Sequence, residues 1–316
     1  MQYTSFDEFI TGINAARANG DESRFVVDVG DTVYLIKRGD PLLNTSDVYL
    51  GGGDFRGLEH LNLSNVVLTA PTWIARMDQN NTYAVRVMDD FINDKAFKGC
   101  TGLTSVLVPD TLRLIGKKAF CMCTQLITIN TRYADASVTN GLPAGVMLDR
   151  GAFHQSGLTS ITMPQGSVFL DGCFSGCRNL VSADVSKCAM TFIPRYAFSE
   201  CEQLSNVRLQ ADVRVIRTSA FGSCNLKRLE LQSVVRIEDY AFQYNPLRTV
   251  TFGRNLATIG NKAFLNCQLQ QVYLPRTTYI NNDSYGNRSF DAGVNIVRGN
   301  VFMQLPNLET PLRIIF

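Results

Sequence analysis

The sequence predicts a repeat solenoid: short coils stacked on one axis, a long parallel β-sheet along one face, and a cap at each end. Three observations carry this. A phenylalanine returns at a near-constant interval, a cysteine follows it by three residues in most copies, and a leucine with an alternating apolar pair comes next. The stretches "DKAFKGCTGLTSVLVP" at 94–109 and "RYAFSECEQLSNVRLQ" at 195–210 show the shared order. Self-similarity at such a period marks an array whose units bury their apolar faces only against their neighbours.

The recurring ring falls at Phe97, Phe120, Phe153, Phe174, Phe198, Phe221, Phe242 and Phe264, with Cys173 replacing the usual preceding alanine once. The intervals are 23, 33, 21, 24, 23, 21 and 22 residues. The long one contains "TRYADASVTNGLPAG", polar and glycine-rich, which reads as a loop of about ten residues inserted into one coil. Five residues before each ring stands an apolar residue: Ile92, Ile115, Leu148, Phe169, Ile193, Ile216, Ile237 and Ile259. The leucine comes six residues after the ring at Leu103, Leu126, Leu180 and Leu204. It comes five after at Leu158, Leu226, Leu247 and Leu269, so the turn has two lengths. Pairs such as Val106/Val108, Leu229/Leu231 and Val272/Leu274 then follow with period two, the mark of a short strand with one buried face. Pro109, Pro164 and Pro275 end such strands, because proline lacks the amide a ladder needs. One repeat is thus a strand, a turn, a second short apolar segment and a Phe-bearing turn.

Six of nine cysteines lie three residues after a repeat ring: Cys100, Cys123, Cys177, Cys201, Cys224 and Cys267; Ser156 and Asn245 fill the other two places. A disulfide or metal framework competes with a column of small buried side chains. Metal sites want cysteines paired at short spacing. Only Cys121/Cys123 and Cys173/Cys177 come close, and neither has a second pair or a nearby histidine. The odd total and the lack of an export signal argue against disulfides. We read the cysteines as structural thiols, since cysteine behaves as a small buried hydrophobe with weak hydrogen-bonding ability.

The pattern LxxVxLP…IxxxAFxxCxxL, spread over about 91–275, resembles the BspA-like class of leucine-rich repeats. The resemblance implies a curved right-handed solenoid and a role in adhesion or protein binding, without a shared set of catalytic residues. Members occur on bacterial and protozoan surfaces and in some viral proteins. Surface members carry an export signal and an anchor that this sequence does not show.

The chain divides into an N-terminal cap at 1–57, a solenoid at 58–280 and an irregular C-terminal cap or tail at 281–316. Open solenoid ends need covering. "SFDEFITGINAARANG" has Ser5 and Glu8 in capping-box spacing and Gly20 as a stop, predicting a helix over about 5–18. "RFVVDVGDTVYLI" reads as a hairpin, and "GLEHLNLSNVVL" as a degenerate first coil. After Tyr279 the period is lost: "NNDSYGNRSFDAG" is loop-like, and the terminal Ile314, Ile315 and Phe316 read as a core-closing strand or a docking peptide.

Composition is that of a folded soluble chain, 45% hydrophobic and 18% charged, with a net charge of +2. That balance gives no electrostatic case for nucleic acid. No run is long enough to enter a bilayer as a span. The first residues do not form a signal peptide, so a cytoplasmic location is expected, with a virion as the alternative. Chemistry is scarce. His60 and His154 have no metal-ligand spacing, "GGGDFRG" lacks the lysine of a phosphate loop, and no basic triad signal accompanies Cys121. No catalytic residue, metal or cofactor is predicted.

Residues two and four after each strand leucine should point outward. Among them Asp184, Asn206, Arg208, Arg228, Glu230, Gln271 and Tyr273 are the richest in binding chemistry. A merely solvated face is the competing reading, and the inserted loop at 131–145 is a second candidate. The leading expectation is a non-enzymatic protein-binding or adhesin-like scaffold, its partner another protein such as a cell-surface or virion component. It could also act as a homo-oligomer or assembly member. A phage virion or tail-attachment protein is the alternative, and a cryptic enzyme using Cys121 or His154 the second.

Overall fold

The computed structural model describes residues 94–95, 97–108, 110–131, 141–281 and 288–299, with the strands Gln2–Tyr3, Val26–Val29, His60–Asn62, Thr72–Asp78, Asn81–Val87 and Phe91–Ile92. The expected helix over 5–18 lies outside these residues. Described strands are short and, one hairpin apart, all parallel.

Three hydrogen-bonded ladders join each coil to the next. The first is the long-strand sheet, built from the alternating apolar segments. Ser105–Val108 pairs with Thr128–Thr131, and Ser160–Thr162, Ser182–Asp184 and Asn206–Arg208 form a second run. Arg228–Leu231 pairs with Thr249–Phe252, and Gln271–Leu274 with Asn295–Arg298. The period-two reading holds: Val106, Ile129, Ile161, Leu229, Val250 and Val272 are buried, while their neighbours face outward. At the insert, Thr131 N–H donates to the Gly141 carbonyl at 3.0 Å, and Gly141 bridges in parallel to Thr162.

The second ladder is the short-strand sheet. Phe91–Ile92, Leu114–Ile115, Met147–Leu148 and Val168–Phe169 form one group; Phe192–Ile193, Val215–Ile216, Arg236–Ile237, Thr258–Ile259 and Tyr279–Ile280 form the other. The second residue of each, from Ile92 to Ile259, is the apolar anchor expected five before the ring, and all eight are buried.

The third ladder runs through the Phe-bearing turns. Each ring residue donates its N–H to the carbonyl just before the next ring, from Phe97 to Ala119 at 2.8 Å through Phe264 to Ser289 at 2.7 Å. Amides two residues to either side do the same, as Lys95 to Lys117 and Gly99 to Cys121, each 2.8 Å. Aiming these amides one way requires left-handed backbone on both sides of the ring. All twelve described non-glycine residues with positive φ sit there, from Lys95 at 54° to Asn266 at 57°. Each such residue costs roughly 1–2 kcal/mol, offset by inter-coil bonds of about 1 kcal/mol apiece and by the buried rings.

Those rings form one column. Nine phenyl groups stack from Phe97 to Phe290 with centroids 5.1–5.8 Å apart and planes within 15°. The ninth corrects the loop-like reading of "NNDSYGNRSFDAG": Phe290 is 4% exposed and continues the stack, although Ser289 replaces alanine and the interval grows to 26. Asp291 then ends the ladder. Its carboxylate accepts the Asn266 and Cys267 amides at 2.8 and 3.0 Å, where interior coils use a backbone carbonyl for the first of these.

Toward the N-terminus, Val26–Val29 pairs in parallel with Gln2–Tyr3 and His60–Asn62, which places "VVDV" in the sheet. The second arm of the expected hairpin lies outside the described residues. An antiparallel hairpin does occur at Thr72–Asp78 and Asn81–Val87, with Asp78 opposite Asn81.

Candidate functional site

The cysteine column is structural, and its geometry shows why cysteine is used. Cys123, Cys177, Cys201 and Cys224 each donate their thiol to the carbonyl of the preceding coil's ring residue, at 3.0 to 3.1 Å, and Cys267 does so at 3.4 Å. Asn245 substitutes its amide, donating to Phe221 and Phe242 at 2.7 and 3.0 Å and accepting from the Leu226 N–H at 3.0 Å. The position therefore demands a small side chain with one donor. All nine thiols are free. Burial pushes Cys100 and Cys188 up to about 12 and Cys177 up to about 11. Such thiols stay protonated at neutral pH, the state in which a thiol is a weak nucleophile.

Cys121 and His154 both directly follow a repeat ring, in adjacent coils. Among the described residues no hydrogen bond joins them. Burial raises the Cys121 thiol, although Lys98 and Lys118 pull it down, and burial together with Lys118 lowers His154. A buried, protonated thiol with no hydrogen-bonded base is poorly placed for nucleophilic work. No group of three or more His, Cys, Asp or Glu among the described residues could hold a metal.

The surface is where binding chemistry stands. Asp184 and Arg208 are directly opposite in register, and Asn206 pairs with Ser182 beside them. The Arg208 guanidinium lies 3.5 Å from the Asp184 carboxylate, yet its side chain remains 73% exposed. An exposed ion pair contributes well under about 1 kcal/mol, so it orients Arg208 more than it holds the coil. Asp184 is fixed further by the Ser186 hydroxyl at 2.6 Å. Arg228 and Glu230 stand exposed on the next coil. Gln271 and Tyr273 lie two coils beyond, hydrogen-bonded to one another, and Asn295 donates to Gln271 at 3.0 Å. The seven residues thus share one face but split into two clusters, separated by Thr249 and Thr251. Of the 131–145 insert, 132–140 lies outside the described residues. Its return at Gly141, held by the Asn130 carboxamide at 2.7 Å, opens on this same sheet.

Sequence reasoning missed two other surfaces. The left-handed turn positions carry exposed Met122, Tyr196, Tyr240 and Tyr244, a consequence of the backbone conformation that period counting does not reveal. The short-strand sheet carries an outward apolar row, taken up below.

The comparisons agree with this architecture. Residues 90–187 and 168–291 match the profile of the BspA type leucine rich repeat region, in 6 copies. The chain belongs to the BspA-type leucine-rich repeat family. Among solved structures, a leucine rich cell surface protein from Faecalibacterium prausnitzii A2-165 is 20% identical. That match has a TM-score of 0.51 and covers 76% of this chain and 69% of that one. The T. pallidum leucine rich repeat protein is 23% identical over 66% of this chain and 81% of its own, with a TM-score of 0.37. The pneumococcal vaccine antigen PcpA is 16% identical, covering 78% of both chains, with a TM-score of 0.34. No curated protein sequence matches significantly. The first of these supports the same fold. As a BspA-type repeat protein, the chain presents a rigid column under variable outer faces.

Proposed function

We propose that this BspA-type repeat protein is a non-enzymatic, adhesin-like recognition protein that binds another protein through the long-strand sheet, with Asp184, Asn206, Arg208, Arg228 and Glu230 at the centre of the contact and Gln271 and Tyr273 at one end. One observation carries the reading. Coils before this region place Ser105, Thr128, Asn130, Ser160 and Thr162 at outward positions, none of them charged, whereas three consecutive coils here place Asp184, Arg208, Arg228 and Glu230 there, with Arg208 73% exposed. A sheet needing only solvation has no use for two long cations at adjacent coils. Arginine and tyrosine are the types that anchor interfaces. The cell-surface character of the F. prausnitzii protein suits an adhesin-like role.

The test is capture of partners from the native source on immobilised protein, wild type beside the Arg208→Ala/Arg228→Ala double variant. A stoichiometric partner retained by the wild type and weakened about tenfold or more by the double variant is the expected result. A partner held equally by both moves the contact elsewhere, and no stoichiometric partner at all counts against recognition.

A further inference from the structure

The short-strand sheet carries a surface of different chemistry. A two-residue strand turns one side chain inward and one outward. The outward residues Leu114, Met147 and Val168 are in register in one group of strands, and Phe192 and Val215 in the other. Met147 is 37% exposed, Leu114 and Val215 are partly exposed, and Val168 and Phe192 are partly exposed while also packing against the core. The same coils put Thr128, Ser160, Ser182, Asn206 and Arg228 at an outward position on the opposite sheet. Solvated strands in this chain therefore do not require apolar residues, and the stripe is a choice made coil by coil. It also has an end, since Arg236 and Thr258 take the next two positions.

The rim is cationic. Arg113, Lys117, Arg150, Arg195 and Arg214 flank the stripe within three residues of it, and the Arg217 guanidinium lies 3.9 Å over the Phe192 ring. The ion pairs found among the described residues, Arg178–Glu202 and Arg208–Asp184, involve none of them. Three carboxylates share the rim, Asp149, Asp171 and Asp212, against six cations counting Arg217, so the rim keeps a positive excess; Asp149 accepts the Arg150 amide at 2.6 Å and Asp171 the Arg195 amide at 3.0 Å.

We propose that this stripe binds an acidic amphipathic α-helix of a partner protein, laid along the solenoid axis. Spacing favours a helix over a strand. The outward residues stand on hydrogen-bonded parallel strands, which repeat about every 4.7–4.9 Å. An α-helix repeats its face about every 5.4 Å, so one apolar residue per turn stays within about half a coil of one outward residue per coil over about four turns. An extended strand repeats its face at roughly 6.6–6.8 Å and drifts by more than a coil over the same number of repeats. Charge selects the flanks: glutamates beside the helix's apolar stripe meet the Arg and Lys rim. A bilayer is a poorer match, because the apolar row is one side chain wide between charged edges. The assignment is independent of the long-strand contact proposed above.

The probe is a fluorescein-labelled, stapled helix of about 16 residues with one leucine per turn flanked by glutamates, titrated with the full chain and read by fluorescence anisotropy. Saturable binding is expected, weakened about tenfold or more when lysines replace the glutamates and again by Met147→Glu or Val215→Glu, with thermal midpoints of both variants unchanged. Arg208→Ala should leave it intact. The charge-only variant Arg195→Glu/Arg214→Glu, which spares the apolar row, should weaken the acidic helix and favour the lysine version. Equal affinity for both helices, preference for an acidic alternating strand peptide, or indifference to the stripe variants would overturn the proposal. So would capture of phosphatidylserine vesicles without capture of the helix. Loss through Arg208→Ala would put the helix on the other sheet and overturn it as well.

Discussion

The Phe-bearing turn and the outer sheet faces belong to the same coils and obey opposite rules. In the turn, one ring and one small donor recur from coil to coil, and even the backbone repeats its left-handed residues. On the long-strand face the residue in register changes from Thr162 to Asp184 to Arg208 within three strands. Register is set where identical groups meet identical groups. A ring finds its partner only at the same height of the next coil, and a thiol its carbonyl. The outer faces are thereby released from specifying the fold and can vary with what they touch.

The largest test of that division is alkaline pH. Burial raises the thiols of Cys100, Cys123, Cys177, Cys201 and Cys224 above their ordinary value of 9.0, Cys177 to about 11 and Cys100 to about 12. Because the folded-state values are the higher ones, their contribution to stability is complete below about pH 9. It is lost as pH rises from there toward 11 and 12, where the unfolded chain ionises and the folded one does not. At pH 10 each such thiol favours unfolding by roughly 1–2 kcal/mol, so the column as a whole loses several kcal/mol. Denaturant unfolding at pH 8, 9 and 10 should show that collapse, with little change between pH 7 and 8. A flat profile to pH 10 would mean that the column is wet.

Phe198→Ala comes next, at about 3–5 kcal/mol, since it removes a fully buried ring stacked on both sides. Arg208→Ala on the same coil should cost less than about 1 kcal/mol. Urea titrations of the two variants compare turn and face directly, and equal costs would erase the distinction. Asn245→Leu should lie between, at about 2–3 kcal/mol, because it leaves the Leu226 amide and the Phe221 carbonyl short of buried partners. Asn245→Cys, which restores the donor used elsewhere in the column, should recover part of that loss.

The same division explains what could be read from sequence. Phe97 through Phe264, the thiol column and the buried strand pairs were legible because the turn tolerates so little change. Phe290 was not, because Ser289 stands before it and Gly293 where the donor should be, so only the ring survives of the motif. The left-handed positions were hidden because lysine, tyrosine, serine and glutamate all occupy them, and none announces positive φ. The apolar stripe was hidden for another reason. A two-residue strand offers a single outward position, and one residue has no period. Alternation puts the seven long-strand residues on one face, but the gap at Thr249 and Thr251 shows that residue type alone does not assemble a site.

The smallest expected effect has the opposite sign. Tyr196 is held at φ 55°, 49% exposed, in a conformation that asparagine tolerates far better than an aromatic residue. Tyr196→Asn should therefore raise stability, by up to about 1 kcal/mol in urea unfolding. Tyr240→Asn should gain less, because the Lys262 ammonium lies 5.7 Å from the Tyr240 ring and that contact is lost with it. A gain at Tyr196 would mean that the exposed aromatic is kept against the interest of the fold, and that the turn edge has work outside the coil as the sheet faces do. A loss would mean that the ring is packed after all, and the edge would then belong with the column it surrounds.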